Sequence, residues 1–209
     1  RVRAGSFADG VVTFASPADA ARAGIASVHQ ELAVLPQLTV AENVWLAREP
    51  RTRVGALDRR ALRQATVELL EGHGLPLDPD AVTGSLSVAN RQLVEIARAL
   101  SASARILSLD EPSAVLSLAE RDRLFEIVRR LKASGLLVLF VSHRLDEVFE
   151  ITDRVTVLRN GTQALAAETA RTSRDALVQA MVGHAVVARP GPGRVAGERA
   201  ARYRVRVDA

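Results

Sequence analysis

Two adjacent acids, Asp110 and Glu111, close the apolar run Ile106–Leu109 and are followed by Pro112. Carboxyl ends of buried strands are where α/β sheets bind ligands, and paired carboxylates there can do chemistry. Asp110, in line with the strand, suits a water-mediated contact to the Mg2+ of a nucleotide; Glu111, one residue further out, can polarise an attacking water. The plain alternative is a solvated strand end. A second such end is Phe140-Val141-Ser142-His143-Arg144, where the His143 imidazole can donate to a phosphate oxygen or serve as a structural residue. A third is Val28-His29-Gln30-Glu31-Leu32, where Gln30 can reach a metal ion or a water, or can be a surface turn residue. Ser87 opens Ser87-Val88-Ala89-Asn90-Arg91-Gln92 at the N-cap of an apolar-periodic run. Free N–H groups and the positive end of a helix dipole make that start a phosphate site, or simply a capped helix.

The elements that must position these residues alternate in type. Short runs rich in β-branched residues at Val11–Phe14, Ile25–Val28, Ile106–Leu109 and Leu136–Ser142 predict strands, and 3.6-residue periodicity between them predicts helices. Ser16 with Pro17 starts a short helix that Gly24 follows. Further helices are predicted from Asp58 to Gly74, from Ser87 to about Ala102, from Ser117 to Gly135 and from about Ser173 to Val182. Ser117 and Glu120 form a capping box, with Leu124, Ile127, Val128 and Leu131 as the buried stripe. Arg154–Arg159 and Thr162–Ala166, joined by Asn160-Gly161, form a hairpin. The result is an α/β fold with a largely parallel sheet. Ser108 places a hydroxyl in a strand expected to be buried, and Met181 is expected to pack the last helix.

Composition narrows the function. The 209 residues are 48% apolar, enough for a core, and contain no cysteine, which excludes disulfides and thiolate metal sites. No run approaches a membrane-spanning length, and cytoplasm is the default compartment. The net charge of +4 lies entirely in the tail beyond residue 184, whose six arginines face Glu198 and Asp208, leaving 22 basic against 22 acidic residues. A balanced body argues against nucleic acid as a partner.

The four polar elements, in this order, resemble the ABC ATPases. Ser87 precedes Asp110 by 23 residues and Glu111 precedes His143 by 32, as a signature helix, an acidic strand end and a switch histidine are spaced in that family. His29-Gln30-Glu31-Leu32, Leu38-Thr39-Val40-Ala41-Glu42-Asn43 and the variant signature are similar to the first of two tandem ATPase domains in bacterial sugar importers. The resemblance implies a P-loop NTPase-like ABC domain, α/β with a helical subdomain and truncated at its N-terminus. Residues 1–45 would be ATPase core up to and past the Q-loop, 46–100 the helical subdomain with the signature, 101–187 core with Walker B and switch histidine, and 188–209 a linker and the start of a second ATPase domain. It implies ATP and Mg2+ as ligands, with Glu111 as general base, His143 on the γ-phosphate, and Asp110 and Gln30 at the metal, partly through water. Ser87, Val88, Ala89 and Asn90 would face the ATP held by a second nucleotide-binding domain. Further implied partners are transmembrane permease subunits, docked through coupling helices, and indirectly an external sugar-binding protein. The location would be the cytoplasmic face of the membrane. Trp45 would line the docking groove or pack as core.

Departures from the family pattern are equally specific. Val88 and Ala89 stand where many members have glycines, Asn90 where glutamine is usual, and Ser117 where the D-loop commonly has aspartate. No Gly-x-x-x-x-Gly-Lys-Ser/Thr occurs, and the single lysine, Lys132, falls near a helix end. The resemblance places the P-loop ahead of Arg1, so this chain is expected to be an internal piece of an ATPase and inactive by itself. A non-transport ABC ATPase and a regulatory module without a P-loop are the alternatives.

Overall fold

The computed structural model describes residues 13–29 and 33–183. The expected linker and strand of residues 188–209, and Gln30, lie outside them. So do residues 11 and 12 of the first expected strand; Thr13 and Phe14, its other half, are not in a strand. The chain divides into two compact units, one of residues 16–143 and one holding the described residues 13–15 and 144–183.

The first unit is built on three parallel strands in the order β1 (Ile25–Val28), β2 (Ile106–Asp110), β3 (Leu137–Val141). Ile25 pairs with Ile106 and Ile106 with Leu137, so odd-numbered residues of β1 and β3 share a face with even-numbered residues of β2. Leu107 and Leu109 are fully buried on the face that packs against α5 (Leu118–Ala133). There Phe125 meets Phe140 edge-on, with ring centroids 5.8 Å apart. On the opposite face Leu137, Leu139 and Val141 stay about half exposed, at 56%, 54% and 44%. Ser108 lies on this open face beside Ser27, half-buried, so its hydroxyl escapes the desolvation cost expected of a buried strand.

Local chemistry fixes the helix ends. Ser16 caps α1 (Pro17–Arg22), Asp58 caps α3 (Arg59–Gly72), Ser87 caps α4 (Val88–Ser101), and Ser117 with Glu120 makes the predicted capping box on α5. Periodicity missed α2 (Val40–Val44), which a second capping box, Thr39 with Glu42, starts. Its residue Asn43 is fully buried. The Asn43 amide nitrogen lies 2.9 Å from the Leu35 carbonyl and from Thr83 Oγ1, and its oxygen accepts from the Leu35 N–H (2.8 Å) and from Arg98 (3.1 Å). Arg98 also donates to the Asn43 carbonyl and Glu95 accepts the Ala33 N–H, so a polar centre joins α2, α4 and the segment before α2. Trp45 is half-buried, its indole N–H donating to Thr66 (3.1 Å).

The second unit contains α6 (Leu145–Ile151), the hairpin β4 (Arg154–Arg159) and β5 (Thr162–Glu168), and α7 (Arg174–Val182) around Val148, Val157 and Leu177. Asn160 and Gly161 both take positive φ, 50° and 71°, the conformation of a type I′ hairpin turn. Leu177, not Met181, packs α7: Leu177 is fully buried and Met181 38% exposed. One turn of helix separates the two, enough to carry Met181 past the core.

Glu95 links this packing to pH. Burial raises its carboxyl above the usual 4.5, opposed by the Ala33 N–H and the charge of Arg98. The folded state therefore binds the proton more tightly than the unfolded chain, and the stability this confers is present below about 4.5 and lost as pH rises through the raised value. In urea titrations between about pH 4 and pH 7, Glu95→Gln should lose less stability with rising pH than the wild type; an identical slope in the two proteins would contradict the assignment.

Candidate active site

The register that pairs Asp110 with Val141 brings the ends of β2 and β3 side by side. The Glu111 N–H extends the ladder by donating to the Val141 carbonyl at 3.0 Å. At that point the backbone turns into the left-handed region, with Glu111 at φ 47°. A non-glycine residue there costs about 1–2 kcal/mol, and such strain persists where surroundings enforce it. Here the turn brings the Glu111 carboxylate to His143, with Oε1 2.7 Å from Nδ1.

The two carboxylate oxygens are not equivalent. Oε1 is paired with the imidazole, whereas Oε2 is buried without a hydrogen-bond partner. A buried carboxylate oxygen with an unused lone pair is costly and is able to accept a proton-bearing group. The Glu111 side chain is 21% exposed and that of His143 71%, so one is sheltered and the other open to solvent. With Nδ1 engaged by the carboxylate, Nε2 is the imidazole nitrogen left for a ligand. Asp110 ends β2 on the open face of the sheet, half-buried, and its carboxylate makes no hydrogen bond to another described residue.

Ser87 lies at a separate place on the same unit. Its hydroxyl accepts the Asn90 N–H at 3.3 Å, which consumes one free donor of the α4 start and leaves those of Val88 and Ala89. Val88 is 39% exposed, with Ala89 and Asn90 half-buried behind it. Ser87, Ala89 and Asn90 line a cleft together with Leu116, just ahead of α5, and with Glu120 and Arg123 from its first two turns. Gln92, 5% exposed, lines it too. Of the residues singled out from sequence, Glu111 and His143 are thus brought together, Asp110 adjoins Glu111 in the chain, Ser87, Ala89 and Asn90 line a separate cleft, and Val88 is exposed outside its lining. Arg123 carried no sequence signal, because an arginine on a helix is ordinarily a solvated surface residue.

A family model for ABC transporters matches residues 5–114. The chain belongs to the ABC transporter ATPase family. It is 51% identical over 175 residues to the ribose import ATP-binding protein RbsA 1 of Rubrobacter xylanophilus, covering 84% of this chain and 35% of that protein. It is 46% identical over 172 residues to the RbsA of Rhodococcus jostii (82% and 34%). A putative ribose/galactose/methyl galactoside import ATP-binding protein of Burkholderia ambifaria is 48% identical over 172 residues (82% and 33%). The chain spans about a third of the length of these curated relatives. Among solved structures, the ADP conformation of MJ1267, an ATP-binding cassette of an ABC transporter, superposes with a TM-score of 0.65 at 26% identity, covering 80% of this chain and 72% of that one. A nucleotide-free cassette gives 0.62 at 25% identity, covering 82% and 69%. ABC ATPase domains bind ATP, and the fold is that of an ABC ATPase cassette.

Strain at Glu111 is open to measurement. Glu111→Gly and Glu111→Ala both remove the carboxylate, but only glycine occupies positive φ without penalty. The glycine variant should be more stable than the alanine variant by about 1 kcal/mol in urea unfolding; equal stabilities would show the backbone there to be relaxed.

Proposed function

We propose that this chain contributes the hydrolytic residues of an ATP-driven sugar importer, with Glu111 as general base. The observation that carries the reading is the orphaned, buried Oε2 of Glu111 beside His143, at the carboxyl ends of two parallel strands. Similarity to ribose import ATP-binding proteins supports a sugar as the transported molecule. In the reaction, a water oxygen attacks the γ-phosphorus of ATP while Oε2 takes its proton, and the bond to the β-phosphate oxygen breaks to release ADP. His143, held through Nδ1, presents Nε2 to the γ-phosphate oxygens and keeps the carboxylate oriented.

Magnesium fits the donor set. It is held by one or two carboxylates together with substrate phosphates and waters, and the uncommitted carboxylate of Asp110 offers such a hard oxygen at the strand end. Gln30 is the second residue assigned to it. When bound, the ion offsets charge developing on the phosphate oxygens. Ser87, Val88, Ala89 and Asn90 would face an ATP held by a second nucleotide-binding domain, the free N–H groups of α4 supplying the contact. Residues 46–100 would act as the helical subdomain on which permease subunits dock, fed by an external sugar-binding protein, at the cytoplasmic face of the membrane. No helix among the described residues is long and apolar enough to cross it. The 209 residues hold no glycine-rich loop with a lysine, so the reading assigns the main phosphate cradle to residues outside them.

In the intact transporter, Glu111→Gln should bind ATP within a few-fold of wild type and lose at least about 100-fold in turnover, the scale of a missing general base. Turnover near wild type would remove Glu111 from the mechanism. The chain alone should show no heat of Mg-ATP binding at micromolar concentrations by titration calorimetry; clear micromolar binding would place a complete phosphate site within these residues.

A further inference from the structure

The charge that cancels over the body of the chain is not evenly spread. Residues 48–63 hold Arg48, Arg51, Arg53, Arg59, Arg60 and Arg63 against Glu49 and Asp58, a net +4, whereas the rest of residues 1–184 holds 16 basic and 20 acidic residues. Two of the six arginines are committed within the fold: Arg48 sits over the Trp45 ring and donates to Ser101 Oγ (2.8 Å), and Arg63 pairs with Asp80 (2.7 Å). Arg59 has only a long contact to Glu42 (3.7 Å), and its side chain is 81% exposed. Arg53 and Arg60 are exposed and make no hydrogen bond or ion pair with another described residue.

The backbone gives these cations a fixed mount. Arg51 and Leu57 form an antiparallel bridge, Thr52 N–H donates to Ala56 C=O (2.8 Å) and Gly55 N–H to Thr52 C=O (2.9 Å), which closes a short hairpin. Gly55 takes φ 83°, a conformation that lets the chain reverse there. The Arg51 guanidinium donates across the turn to the Gly55 carbonyl (3.0 Å). Asp58 N–H donates to Pro50 C=O (2.9 Å) and ties the base of the hairpin to the start of α3, which carries Arg59 and Arg60. At the tip stands Val54, 89% exposed, the most exposed large apolar side chain among the described residues. A valine so placed adds almost nothing to the core of its own unit.

We propose that this hairpin tip, through Arg53, Arg59, Arg60 and Val54, is a contact surface for an anionic lipid bilayer. Guanidinium groups donate in pairs to phosphate oxygens, which the headgroup of phosphatidylglycerol presents. Val54 enters the acyl boundary between them, where an aliphatic side chain leaves water. Nucleic acid fits less well, because the tip carries no aromatic ring to stack on a base and its valine would stay in water. An acidic peptide would match the charge, but a projecting tip offers it no groove to enter. Placement beside the negatively charged cytoplasmic leaflet rests on the importer reading, whereas affinity for lipid rests on the hairpin alone. The contact gives the ATPase a hold on the membrane apart from the permease.

Vesicle flotation of the full chain tests this. It should rise with vesicles of equimolar phosphatidylglycerol and phosphatidylcholine and stay behind with pure phosphatidylcholine. Arg53→Ser/Arg60→Ser should weaken binding to the anionic vesicles at least about 10-fold, since each arginine at such a surface contributes about a factor of five. Arg199→Ser/Arg202→Ser, which removes the same charge from the basic tail, should lose less. Because the chain has no cysteine, Val54→Cys accepts a single environment-sensitive dye, whose emission should shift to the blue on anionic vesicles. The proposal is overturned if the chain binds neither vesicle or both equally, if the hairpin pair loses no more than the tail pair, or if the dye on vesicle-bound protein stays in water. It is overturned equally if the hairpin pair leaves vesicle binding intact and instead abolishes retention on duplex DNA or on the detergent-solubilised permease. An intact protein with no ATPase would defeat the importer reading, while the flotation and dye results would still decide the lipid contact.

Discussion

The pairing of Asp110 with Val141 at the ends of two parallel strands is the constraint that the site depends on, because it decides which side chains can meet. A shift of one residue would exchange the sheet faces, burying Ser108 and Asp110 against α5 and exposing Leu107 and Leu109. The apolar contacts of Leu107 and Leu109 with the α5 layer therefore hold the register. With it held, the Glu111 N–H finds the Val141 carbonyl, and the backbone is forced to turn where it does. Glu111 and His143 are 32 residues apart in sequence and 2.7 Å apart in space for that reason.

The helical part obeys a different logic. Its centre is polar, with Asn43, Thr83 and Glu95 buried among Val40, Val44, Leu93 and Val94. Apolar packing tolerates small slides, since dispersion and burial change gradually with position. Hydrogen bonds to buried donors do not, because a lost partner leaves the full desolvation cost. α4 carries contacts of this second kind, through Glu95 and Arg98, on the helix that Ser87 caps.

The strands of the three-stranded sheet, the helix caps, and Glu111 and His143 as separate candidates were legible because each rests on local pattern or on residue types with few other uses; the contact between Glu111 and His143 was not, since it depends on the register of two distant strands. Ser117-x-x-Glu120 defines a helix start in any context, and two acids closing an apolar run have few structural reasons to be there. The contact of Glu95 with Ala33 was not legible, for a physical reason: its donor is a backbone N–H, which nearly every residue possesses. Asn43 looked like an ordinary polar residue because a five-residue helix is too short for periodicity to show. Ser108 was misplaced because β2 was read as buried on both faces, the usual condition of a parallel strand, whereas only one face is covered by described residues.

That half-covered sheet bears on the chemistry. Asp110 lies on the face that Ile106, Leu137, Leu139 and Val141 share, and three of these are about half exposed. Parallel sheets are stable when both faces are covered, so the apolar side chains there favour whatever excludes water from them. Excluding water from that face also lowers the dielectric around Asp110, which strengthens its attraction for a cation and raises the cost of leaving it unpaired. Glu111 Oε2, already buried, is in that condition without any cover. Water exclusion from the apolar face and the charge of Asp110 are therefore physically linked, because Asp110 stands on the same face of the sheet as Leu139 and Val141.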